Sequence, residues 1–119
     1  MACTVAAHEP VAAVILSDTF TSLLHVAGSK VSVMRLYPRW LASDPPLDNL
    51  AYAKGKHPPL LIIHGKMDTL IPVDEALALF EGASQPKRLL LLPHSGHNDK
   101  SLDASPYALG LKAFVRSLP

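Results

Sequence analysis

Two side chains able to work as an acid–base pair each follow an apolar run. In Pro59-Leu60-Leu61-Ile62-Ile63-His64-Gly65-Lys66-Met67-Asp68 the run ends at a glycine and an aspartate. In Arg88-Leu89-Leu90-Leu91-Leu92-Pro93 it leads through His94-Ser95-Gly96 to His97-Asn98-Asp99. An imidazole can take and return a proton near neutral pH. A carboxylate beside it fixes the tautomer and stabilises the imidazolium, the division of labour in a nucleophilic triad. Asp68 and His97 are therefore the candidate acid and base, expected within hydrogen-bond reach of each other.

Such a pair needs elements to deliver it. Near-continuous apolar runs read as parallel strands buried on both faces, and in parallel α/β sheets ligands and catalytic groups gather at the strands' carboxyl ends. The sequence predicts strands over Val11 to Leu16, Leu60 to Ile63 and Leu89 to Leu92, alternating with helices in an α/β fold. Helices are expected over Ala2 to His8, for one or two turns within Leu47 to Lys54 before Gly55, and over Val73 to Glu81. In the third, Asp74 and Glu75 suit the helix dipole, and Gly82 is expected as a left-handed stop. A last helix, capped by Ser105 with Pro106 at its first position, presents Tyr107, Leu111, Phe114, Val115 and Leu118 as one apolar face. Helical or irregular chain is expected from Ser22 to Trp40, with a break at Ala42-Ser43-Asp44-Pro45-Pro46. Val11 to Leu16 would then be an apolar edge without Lys or Pro inside it, a template for self-association.

Other residues carry weaker signals. His94 and His97 stand three apart on a glycine loop, a poor match to a helical zinc pair, with no third ligand in view. His57 and His64 flank a strand and read as packing or turn residues. Asp18 follows the first strand and reads as a turn carboxylate before a substrate contact. Val31 to Trp40, with Met34, Tyr37 and Trp40, could line an apolar pocket or pack as ordinary helix.

A chain of 119 residues fits one small domain. With 49% hydrophobic and 18% charged residues it has the composition of a globular protein. A net charge of +1, with scattered Lys and Arg, gives no electrostatic reason to expect nucleic acid or an anionic membrane as partner. Its single cysteine, Cys3, rules out an intramolecular disulfide framework. No apolar run approaches the roughly 18 to 20 residues that span a bilayer, and no signal peptide is visible, so the default expectation is cytoplasmic.

His64-Gly65-x-x-Asp68-x-x-Ile71-Pro72, Ala78-Leu79-Phe80, Pro86-Lys87-Arg88 and Ser95-Gly96-His97-Asn98-Asp99, in this order, resemble the C-terminal half of an α/β-hydrolase, most nearly the BEM46-like serine hydrolases. Pro10 to Ser22 is similar to the family's sixth strand and its Phe-Thr-Ser turn. The resemblance implies a partial α/β-hydrolase fold, three parallel strands flanked by helices, with residues 1–119 as the C-terminal part of the domain. It implies hydrolysis of an ester, thioester or peptide-like acyl bond, with Asp68 and His97 as triad members and no metal or organic cofactor. The family carries its serine on a Gly-x-Ser-x-Gly elbow. None of the six glycines here pairs with another around a serine, and by this alignment the nucleophile would lie a few residues before Met1. The chain by itself is therefore expected to be inactive. The alternative is a non-catalytic, truncated fragment that pairs with another polypeptide or is unstable alone.

Overall fold

The computed structural model describes residues 2–22, 25 and 48–119. The expectations for the Val31 to Trp40 segment and the Ala42 to Pro46 break lie outside the described residues. Three strands, β1 (Val14–Ser17), β2 (Leu60–Gly65) and β3 (Lys87–Leu92), form a parallel sheet in the order β1-β2-β3. The helices are α1 (Ala2–His8), α2 (Asn49–Lys54), α3 (Val73–Gly82) and α4 (Ala104–Arg116).

β2 is central and every one of its residues is buried. Its side chains alternate between two cores. Leu60 and Ile62 pack with Cys3 of α1, Ala53 of α2, and Ala76 and Leu79 of α3. Leu61 and Ile63 pack with Leu92 and with Phe114 of α4. A strand covered on both faces has no need of polar alternation, which is why this run is apolar throughout.

β1 is shorter than expected. The ladder starts where the Val14 N–H donates to the Pro59 carbonyl at 2.9 Å. In this register Ala13 and Ala12 would face Pro59 and Pro58, which have no N–H groups to donate, so the ladder does not continue back toward Val11. Among the described residues β1 is paired only with β2. β2 and β3 each extend beyond their apolar runs because their register pairs Leu60 with Lys87 and Gly65 with Leu92.

Three helix expectations are corrected. Gly82 is not a left-handed stop: no described glycine has positive φ, and α3 ends at Ala83 in extended conformation. A Cβ at Gly82 would lie 2.6 Å from Leu50 Cδ1, so the glycine serves the contact between α2 and α3. α4 is preceded by Asp103 as N-cap, not Ser105, which places Pro106 third in the helix, still within the turn whose N–H groups have no intrahelical partner. Val115 is 53% exposed. Tyr107, Leu111, Phe114 and Leu118 form the stripe on the sheet, and Val115 falls a third of a turn away from Phe114. The α2 expectation holds, with Asp48 accepting the Ala51 N–H at 2.8 Å and Gly55 as C-cap. No helix among the described residues is long and apolar enough to cross a membrane.

Candidate active site

Asp68 and His97 meet at the carboxyl end of β2 and β3. His97 Nδ1 lies 2.8 Å from Asp68 Oδ2. The other carboxylate oxygen, Oδ1, accepts the N–H groups of Leu70 and Ile71, each at 2.8 Å, which locks the turn after β2. Burial acts to raise the Asp68 carboxyl. The Ile71 N–H, the His97 ring and the Leu70 N–H outweigh it and hold the group below the usual carboxylate range. The ionised carboxylate can only accept, so Nδ1 carries a proton, and in the neutral ring the lone pair then lies on Nε2. That is the tautomer able to take a proton from a nucleophile. Asp68 is buried, and the His97 side chain is about a quarter exposed.

The loop carrying His97 is docked by backbone contacts. The Lys66 N–H donates to Leu92 O at 2.8 Å and the Met67 N–H to Ser95 O at 3.0 Å. Gly65 makes this approach feasible, since a Cβ there would sit 2.3 Å from Ser95 O. At its far end the loop is tied to the start of α4. Asp103 accepts the His94 N–H and the Ser95 hydroxyl, both at 2.8 Å, and lies 3.1 Å from His94 Nδ1. Burial opposes ionisation of Asp103, and the Ser95 hydroxyl and the His94 amide and ring outweigh it, lowering its pKa. These bonds take the carboxylate away from the helix, which explains why the N-cap side chain makes no capping bond.

The remaining histidines separate. His94 and His97 face different carboxylates, so they do not form a metal pair. His64 is fully buried, with Nε2 donating to the Ile71 carbonyl at 2.9 Å. His57 is buried and its ring stacks on Tyr52. Asp18, His64 and Asp68 do bring one ligand atom each within 4.8 Å of one another. Their carboxylates are already engaged, however. The Lys100 ammonium pairs with Asp18 and the His97 ring with Asp68, so a cation would have to displace groups of the protein itself.

No family model matches the chain. An uncharacterized protein of Mycobacterium tuberculosis is 33% identical over 97 residues, 82% of this chain and 34% of that protein. Alpha/beta hydrolase domain-containing protein 17B of Homo sapiens is 34% identical over 110 residues, 92% of this chain and 35% of its own length. A solved Pyrococcus furiosus esterase superposes with a TM-score of 0.70 at 17% identity, covering 96% of this chain and 48% of the esterase. The chain is related to the α/β-hydrolases. It spans about a third of the length of these curated relatives.

Seen as an α/β-hydrolase relative, the chain holds its two candidate residues on the edge where this class of sheet gathers functional groups. Sequence reasoning placed Asp68 and His97 there and missed Lys100 and Asp103. No local pattern marks them, because each acts through a partner brought in by the fold. Asp18 is a turn residue, with φ at 46°, and its carboxylate reaches into the same region.

Proposed function

We propose that this chain supplies the acid and the base of a serine hydrolase acting on an ester, thioester or peptide-like acyl bond. The observation that carries the reading is the 2.8 Å contact between His97 Nδ1 and the buried Asp68 carboxylate. A serine Oγ brought to His97 Nε2 would lose its proton as it attacks the acyl carbon. His97 would return that proton to the leaving group, and a water activated the same way would release the acid product. Asp68 would remain ionised and stabilise the imidazolium. The serine and the oxyanion-hole N–H groups would come from sequence outside these 119 residues, in keeping with the third of the relatives' length that the chain spans.

The test is a chimera in which this chain replaces the aligned segment of the human relative. The chain by itself should leave a fluorophosphonate probe unreacted. The chimera should be labelled on one serine, and His97→Ala should abolish that labelling. Stoichiometric labelling of the isolated chain, or a chimera indifferent to His97→Ala, would defeat the reading.

A second reading, pairing with another polypeptide or a second copy through the edge of β1, is favoured by one observation. Among the described residues β1 is hydrogen-bonded to β2 alone, and Ile15 in its middle is 41% exposed, whereas Val14, on the opposite face, is 4% exposed. Lys at Ile15 puts charge on the accessible side of the edge and should make the chain more monomeric in light scattering. Lys at Val14 enters the core and should unfold it, since an unpaired buried charge costs several kcal/mol. A wild-type chain that is already a stable monomer would remove this reading.

A further inference from the structure

Asp18 is buried, yet it belongs to neither core and forms no part of the Asp68–His97 contact. Its N–H makes the last ladder bond of β1, to Ile63 O at 2.9 Å. The chain then turns through a left-handed conformation, φ 46°, uncommon for a residue with a side chain. This turn sends the carboxylate across the end of β2. Oδ1 accepts the Gly65 N–H at 3.2 Å, and Oδ2 accepts the Asn98 N–H at 2.8 Å together with the Lys100 ammonium. Asn98, directly after His97, is the other described non-glycine residue with positive φ, 53°. Two left-handed residues, far apart in sequence, are thus joined by one hydrogen bond beside the candidate base.

We propose that Asp18, with Lys100 as its counter-ion, is a positioning residue that sets the His97 ring against Asp68. The proposal rests on the reading of Asp68 and His97 as an acid–base pair. The Asn98 N–H belongs to the peptide unit that His97 begins, so fixing it fixes the backbone on the C-terminal side of His97. The contacts of Ser95 with Met67 and Asp103 fix the N-terminal side. With both sides held, the ring has one way to face Asp68. Lys100 pairs with this buried carboxylate, where an isolated buried charge would be strongly disfavoured. No rotamer of an amide can replace the carboxylate. Turned one way, its NH2 meets the Asn98 N–H and the Lys100 ammonium, and turned the other way it meets the Gly65 N–H.

The experiment reads the ring-nitrogen chemical shifts of histidine-labelled full chain. The wild type should show His97 as the single Nδ1–H tautomer, and Asp68→Asn should abolish that state. Asp18→Asn, which keeps a side chain tolerant of the left-handed turn, should convert His97 to a mixture of tautomers while His57, at the opposite end of β2, keeps its wild-type signals. Lys100→Met should do the same and decides the matter where Asp18→Asn does not fold. A His97 signature unchanged in both Asp18→Asn and Lys100→Met, with Asp68→Asn still disrupting it, overturns the proposal and leaves the acid–base pair standing. A wild-type ring already mixed removes the pair and the proposal together.

Discussion

Asp68→Asn in the chimera is expected to lower kcat by about 10⁴ while leaving the fold nearly intact. Asn Oδ1 can still accept the Leu70 and Ile71 N–H groups that the carboxylate holds at 2.8 Å, so the turn survives. The amide NH2 then faces His97 Nδ1, where Oδ2 now accepts. Two donors cannot share that contact, so the imidazole must rotate or take the other tautomer, and Nε2 loses the lone pair it needs. Asp68→Ala should cost stability as well, about 1 to 3 kcal/mol for each buried N–H left unpaired. The Asp68 carboxyl is held below its ordinary value in the folded chain. Its stabilisation is therefore complete above the unfolded-state carboxyl pKa of about 3.9 and is lost as pH falls through the lower folded-state value. Asp68→Asn should flatten stability in that acid window, as measured by urea unfolding across pH. Steady-state kinetics within about tenfold of the parent chimera would show that Asp68 does not orient the base.

What was legible in the sequence follows from what each residue's partners are. Leu60 to Ile63 meets apolar neighbours on both faces, and a burial of that kind leaves its mark in the residues themselves. Asp68 and His97 each stand just past such a run, so recognising two adjacent parallel strands was enough to bring them together. The Asp18–Asn98 bond spans 80 positions, and nothing local at either end announces it. Ser105-Pro106 looked like a helix start because capping rules weigh neighbours in sequence. Asp103 takes the cap position while its carboxylate serves His94 and Ser95, a contact that exists only once β3 and α4 have packed. The shortness of β1 was readable in principle, since Pro58 and Pro59 remove the donors opposite Ala12 and Ala13. It required knowing which strand β1 pairs with.

Gly65→Ala is expected to be the most damaging change of a single methyl group in the site. The added Cβ would lie 2.3 Å from Ser95 O and 2.8 Å from both Ser95 C and Gly96 O. All three are backbone atoms, so no side-chain rotation relieves the overlap. Gly65 does not have positive φ, so the cost comes from contact and not from backbone strain. Relief requires the loop to move away from β2, breaking the Met67–Ser95 bond and drawing His97 off Asp68. Overpacking of this kind should destabilise the chain by about 3 kcal/mol, and a displacement of about 1 Å at the base should cost the chimera roughly a hundredfold in rate. Gly96→Ala is the matched comparison on the same loop. Its Cβ would meet only Met67 O, at 3.8 Å, an ordinary contact, so its effect should stay within about 1 kcal/mol. Urea midpoints and the His97 tautomer signature, read on both variants, separate the two sites. Equal behaviour of the two alanines would mean that the close approach of Gly65 to Ser95 is not what seats the histidine loop.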